Sequence, residues 1–414
     1  MEQVGLSRRL GLSDAVFLGL GSMLGAGVFA AFAPAAAVAG SALLIGLAIA
    51  AVVAWCNASS SAQLAAVYPT SGGTYVYGRE QLGPWWGFAA GWAFVIGKTA
   101  SSAAMALTFA AYAVPAAWQR PVAAVAVAVL AGVNYAGISR TAQVTRVTVL
   151  LVLACLSVVV ASGMSAGGGL PVVVSPVGGP EWYGVLQAAG LLFFAFAGYA
   201  RIATLGEEVR EPRHTIPRAI LLALGIVVMV YAVVATVALR VLGAHDLAHS
   251  AAPLADVVAA RGWAWAVPLV GVGAALASLS ALLALMAGIG RTTLAMAREG
   301  DLPRWLAAVH PRWRSPHRAE LVLAAAVIAL VLSVDLRGAI GFSSFGVLLY
   351  YAIANLAAFT QSAAQRRTPR VVQVAGCAGC LVLAATLPTT AVAIGLGVLA
   401  LGAGYRILTR RLAR

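Results

Sequence analysis

The sequence predicts an all-α integral membrane protein of about twelve transmembrane helices: a five-plus-five inverted repeat with broken helices 1 and 6, then two additional C-terminal helices. Three observations lead there. Of 414 residues, 62% are hydrophobic and 10% charged, where soluble proteins are roughly half apolar and about a quarter charged. The apolar residues fall into runs of membrane-spanning length, and glycine-marked interruptions recur in the first and sixth of them.

A crossing segment needs about 20 apolar residues, because the bilayer core leaves backbone groups no partner outside a helix or closed barrel. Such runs occupy 14–38, 41–67, 84–117, 122–139, 145–163, 184–207, 216–243, 264–297, 319–336, 338–362, 371–388 and 390–408. Disorder, collagen-like repeats and a disulfide scaffold are excluded by the apolar excess, the absent Gly-x-y period and a count of four cysteines. Ser7-Arg8-Arg9-Leu10 ahead of an apolar run resembles a signal peptide or a twin-arginine signal. That run, however, holds five glycines from Gly11 to Gly27 and continues to Val38, so it is read as the first span.

The net charge of +14 is sorted by these spans. With the N-terminus inside, only Arg120, Arg240, Arg261 and Arg337 fall outside and Lys98 falls within span 3, leaving 22 of the 27 basic residues on the inner side. This is the positive-inside pattern, with both termini cytoplasmic in the cytoplasmic (plasma) membrane. The charge is topological, and no nucleic-acid partner follows from it. Eight of ten tryptophans also sit near span boundaries, as interfacial anchors do.

In span 1, Gly21, Gly25 and Gly27 place three glycines within seven residues at mid-membrane depth. Each costs a helix interior about 1 kcal/mol against alanine, so the stretch is primed to unwind. Gly21 and Gly25 also form a GxxxG, whose simpler reading is close helix packing. In span 6, Phe193-Phe194-Ala195-Phe196-Ala197-Gly198-Tyr199 is a matching interruption. Paired breaks near the start of two five-span units point to a transporter built from repeats, with its site between the broken helices. The units are 1–163 and 184–362, with 371–408 as the two additional helices. Freed amides at Gly25, Ala26 and Gly27 suit a carboxylate. Freed carbonyls from Phe194 to Ala197 suit an ammonium group, and Phe194 or Phe196 could cover the ligand. One zwitterionic amino acid satisfies both ends.

The stretches Gly19 to Phe29, Tyr68 to Tyr75, Asn134-Tyr135-Ala136-Gly137, Phe194 to Tyr199 running into Glu207 to Pro212, and Glu299 to Arg304 together resemble the amino acid-polyamine-organocation (APC) transporter superfamily. The resemblance covers nearly the whole chain. It implies a LeuT-type fold, alternating access, a substrate carboxylate on Gly25, Ala26 and Gly27, and a substrate amine on carbonyls near Met23, Phe194 and Ala197. The aromatic at 194 matches the family's gating position. Two departures stand out. Gly198-Tyr199 is followed by Ala200 and Arg201, where many members carry an acid, and span 5 lacks the lysine of many proton-coupled members. Ser278 and Ser280 are candidates for a sodium site by the same resemblance, though their spacing fits poorly, so protons are favoured over sodium.

Lys98, the single lysine, lies too deep in span 3 to snorkel to either surface. Three readings remain open: a proton-coupling switch, a substrate-contacting or substrate-mimicking group, and a structural donor to helix-end carbonyls. At the inner ends, Arg201, Glu207 or Glu208 paired with Asp14 or Arg8 would form a gate, against the simpler reading of a solvated loop. Gly91-x5-Gly97-Lys98-Thr99 resembles a phosphate-binding loop but has the wrong spacing and sits inside an apolar span. The five histidines are expected in loops, and His245 with His249 lack a third metal ligand nearby. Asn57-Ala58-Ser59 matches a glycosylation acceptor but falls within span 2. The cysteines read as small buried side chains.

No nucleophile with its base, metal cluster or cofactor motif appears at membrane depth, so an enzyme is not expected. A channel would show charge rings or a repeated filter. The expected function is secondary transport of a neutral amino acid, proton-coupled or by exchange, with membrane lipid as the surrounding partner. Within transport the alternative is a polyamine, a cationic amine or a cationic amino acid. Outside it, the alternative is a channel or a non-transporting receptor.

Overall fold

The computed structural model describes residues 10–69, 72–137, 142–165, 181–203 and 208–412. Among them the chain is almost entirely helical. The first span is split into α1 (Leu12–Met23), α2 (Ala26–Ala30) and α3 (Phe32–Ala39), followed by α4 (Leu43–Val67) and a short α5 (Thr74–Leu82). Then come α6 (Pro84–Ala113), α7 (Gln119–Tyr135) and α8 (Ala142–Met164). The sixth span is again split, into α9 (Trp182–Phe196) and α10 (Ala200–Ala203). After it run α11 (Pro212–His249), α12 (Pro253–Ala260), α13 (Val267–Arg298), α14 (His317–Ser333) and α15 (Leu336–Phe359), then α16 (Arg370–Thr386) and α17 (Thr389–Leu412).

Each expected apolar run coincides with a helix or a broken set. Among the described residues, nine stretches are by themselves long and apolar enough to cross a membrane, while α9 and α16 are shorter apolar helices. The chain is thus a multi-pass membrane protein. Two short helices were not expected from the apolar runs. α5 is too polar to register, and α12 is a brief return after the kink at Gly243 (φ 73°, ψ 171°) in α11. That kink lets α11 run to His249, so His214, His245 and His249 lie on its ends and His317 opens α14, correcting their expected place in loops.

The interior is organised around α4, α6, α9, α13 and α15. In α4, Asn57, Ser60 and Gln63 are buried and need partners, since lipid supplies none. Asn57 Oδ1 accepts from Asn355 Nδ2 at 2.6 Å, Ser60 donates to Asn355 Oδ1 at 2.7 Å, and Gln63 donates to Gln361 Oε1 at 2.7 Å. These bonds tie α4 to α15 and the turn after it. They also account for Asn57, the acceptor discounted from sequence, as a buried structural amide.

Candidate functional site

The first break is sharp. Leu24 (φ −75°, ψ 30°) and Gly25 (φ −78°, ψ −138°) leave helical geometry between Met23 and Ala26. Ala26 and Gly27 themselves lie in the first turn of α2, where N–H groups have no partner within the helix. The glycines here serve close approach. A Cβ on Gly25 would stand 2.7 Å from Ala281 Cβ of α13, and one on Gly27 would stand 2.6 Å from Ala195 Cα and Cβ. The second break spans Ala197 to Tyr199, and a Cβ on Gly198 would collide with the Ser22 carbonyl. The two interruptions therefore lie directly against each other.

The carbonyls that the breaks release carry protein donors. The Tyr231 hydroxyl of α11 lies 2.5 Å from Met23 O and 3.0 Å from Ala195 O, bridging α1 to α9. Lys98 Nζ of α6 donates to Ala197 O at 3.0 Å, and the Tyr351 hydroxyl of α15 approaches the same oxygen at 3.3 Å. Lys98 is only 7% exposed. Aromatic rings close around this point: Phe196 lies 5.2 Å from Tyr231, and Tyr199 stacks on Tyr351 at 4.9 Å. Phe194, at the same end of α9, is also buried.

One cavity opens on the first break and another lies farther along the bundle. The first, of about 230 Å³, runs from Ser22 and Leu24 past Thr148 and Ser280 to Arg201 and Glu320. The other, about 620 Å³, lies toward the far end of the bundle, where Ala33 and Pro34 of α3 face Arg120, Ser250 and Arg337. Ser278, the other serine considered for sodium, is buried within α13.

Residues 14–398 match the family described as amino acid permease. This chain belongs to the amino acid permease family, within the APC superfamily. An uncharacterized transporter of Mycobacterium tuberculosis is 59% identical over 410 residues, covering 98% of this chain and 93% of the relative. The branched-chain amino acid permease BcaP of Bacillus subtilis is 26% identical over 395 residues, 90% of this chain and 84% of that protein. Cationic amino acid transporter 7, chloroplastic, of Arabidopsis thaliana is 28% identical over 391 residues, 86% of this chain and 65% of that protein. The permease is a transporter for amino acids and not an enzyme.

At the α1 end of the permease, Asp14 Oδ1 pairs with Arg146 Nη2 of α8 at 2.8 Å, and its Oδ2 accepts from Gly11 N at 3.1 Å. Arg146 also lies 5.3 Å over the Phe17 ring. Arg146 was read from sequence only as a topological charge. Glu208 enters through its backbone: its carbonyl accepts from Leu10 N at 3.0 Å, and Arg210 N donates to Leu10 O at 2.9 Å. The chain before α1 thus pairs with the chain after α10. Arg201 lines the smaller cavity, and the gate candidates Glu207 and Arg8 lie outside the described residues.

A second charged cluster holds the same end of the permease. Arg79 of α5 meets Glu299 at 2.8 Å and Asp301 at 3.3 Å, while Arg406 of α17 meets Asp301 at 2.9 Å. Arg406 is nearly fully buried, with its guanidinium 4.6 Å from the Phe88 ring centre. Tyr75 donates to Asp301 at 3.0 Å, and burial together with that carboxylate pushes its hydroxyl well above the usual tyrosine range.

Four residues that shape the site escaped sequence reasoning in that role: Tyr231, Tyr351, Arg146 and Glu320. A tyrosine in a spanning helix carries no signal beyond packing. Arg146 and Glu320 fall near span ends, where charge is ordinary.

Proposed function

We propose that this permease carries a neutral amino acid across the cytoplasmic membrane by alternating access, as a proton-linked secondary active transporter with both chain ends in the cytoplasm. Residues 1–163 and 184–362 act as inverted five-helix repeats of LeuT type, and 371–408 add two helices. One observation carries the reading: two helix breaks meet at membrane depth, their carbonyls turned to hydrogen-bond donors and a cavity lying toward either end.

The substrate carboxylate binds the amides of Gly25, Ala26 and Gly27, where the helix dipole favours negative charge. Its ammonium group takes the carbonyls of the Phe194-Ala195-Phe196-Ala197-Gly198 segment together with Met23, displacing Lys98 from Ala197 O. Two ammonium groups sharing one carbonyl in a low-dielectric interior repel strongly. The substrate therefore binds best after Lys98 has given up its proton, which links transport to protons. The same repulsion disfavours substrates with a second positive charge. Asp14, Arg201, Glu207 and Glu208 belong to the cytoplasmic gate, with Arg146 as the partner of Asp14.

Relatives named for branched-chain and for cationic amino acids both match; Lys98 beside the breaks favours the neutral class over cationic amino acids and polyamines. Purified permease in liposomes, offered labelled L-leucine, L-alanine, L-arginine and spermidine with and without a proton gradient, tests this. Gradient-dependent flux of leucine or alanine is expected. Flux confined to arginine or spermidine would overturn the neutral assignment.

A further inference from the structure

We infer that the smaller cavity is a second zwitterion site, a staging subsite between the helix breaks and the cytoplasm, with Glu320 as its ammonium acceptor. This rests on the transport reading above. The cavity begins at Ser22 and Leu24 of the first break and ends at Arg314 and Pro316 ahead of α14, so a substrate leaving the breaks on that side must pass through it.

Glu320, in the first turn of α14, is 3% exposed and lines this cavity. Among the described residues its Oε2 has no hydrogen-bond partner and its carboxylate has no ion pair within 4.0 Å. A buried carboxylate oxygen without a partner is costly, and its retention calls for a ligand that supplies one. The fold makes room for it: a Cβ on Gly290 of α13 would stand 2.5 Å from Glu320 Oε1. Arg201, Arg291 and Arg314 line the same cavity from three other segments. His317, three residues earlier on α14, lies against the Tyr135 ring.

A single carboxylate facing several guanidinium groups discriminates among ligands. A simple anion gains from the arginines but is repelled by Glu320, and a simple cation meets the reverse. A molecule with an ammonium and a carboxylate a few ångströms apart satisfies both, which is the chemistry already required at the breaks. The cavity therefore holds the same substrate in a second, more polar setting and eases its transfer to water.

The test uses purified permease in liposomes of defined orientation, with KM for labelled L-leucine and L-alanine measured separately from each face. Glu320→Gln keeps the shape of the side chain but removes its charge, and Gly290→Ala keeps the charge but displaces the carboxylate. Both variants should raise KM from the cavity face relative to the opposite face by about tenfold, the size expected for losing one charged hydrogen bond. Equal changes from both faces, or no change from either, would overturn the subsite. Absence of amino acid flux in the unaltered protein would overturn the transport reading with it, whereas normal flux with a symmetric KM response overturns the subsite alone.

Discussion

Lys98 Nζ and Ala197 O lie 3.0 Å apart, so the one lysine of the chain ends on a carbonyl released by the break between α9 and α10. Of the three roles open from sequence, this contact makes Lys98 a donor to a helix-end carbonyl. It also puts the lysine ammonium where the substrate's own is proposed to bind, so under that proposal the structural, substrate-mimicking and proton-coupling roles all turn on this one contact.

Tyr231→Phe removes the hydroxyl facing Met23 O and Ala195 O. The ring stays packed against Phe196 and Phe32, so the fold should survive. Buried carbonyls that lose a donor cost roughly 1–3 kcal/mol. Transport in liposomes is expected to fall about tenfold or more while purification yield and size-exclusion behaviour are retained.

Gly198→Ala tests the contact between the breaks. Its methyl group would meet the Ser22 carbonyl, which is backbone and cannot step aside. Overpacking of this kind costs typically 1–3 kcal/mol. A lower Tm and loss of transport are expected; Gly225→Ala, at a position with nothing within 4 Å, serves as the control and should leave both intact.

Asp14 and Arg146 are partly exposed, so their pair contributes modestly, within the roughly 0.2–1 kcal/mol of such bridges. Asp14→Ala or Arg146→Ala should change the transport rate by about threefold through the gate. The charge-swapped double variant should recover part of that change. Additive losses in the double variant would remove the pair from the gate.

Asp301 and Arg406 differ, because both are almost fully buried. Removing one partner of a buried pair leaves an uncompensated charge and costs about 3–5 kcal/mol. Asp301→Ala is expected to lower Tm strongly, and Arg406→Ala likewise. Arg79→Ala, which leaves Arg406 and Tyr75 on Asp301, should cost less.

Much of this architecture was legible in advance, for physical reasons. Apolar runs of spanning length report helices because lipid permits little else, and glycine within such a run marks a position where helix is weak or another element comes close. Gly25, Gly27 and Gly198 were accordingly visible. What fills the site was less so. Tyr231 and Tyr351 reach the break carbonyls only through the packing of α11 and α15, which leaves no trace in local sequence. Arg146 carried the signal of a topological charge and Glu320 that of a helix end, so neither pointed to its partner. α5 was missed because its nine residues are amphipathic at best and its anchors, Glu299 and Asp301, lie more than two hundred positions away.

The most direct measurement is KM for the transported neutral amino acid across a pH series in the unaltered permease and in Lys98→Met. If substrate ammonium and protonated Lys98 compete for Ala197 O, affinity should rise with pH, approaching about tenfold per pH unit while the lysine is protonated. Lys98→Met should flatten that dependence and uncouple flux from the proton gradient. The same pH dependence in Lys98→Met as in the unaltered protein would contradict the account.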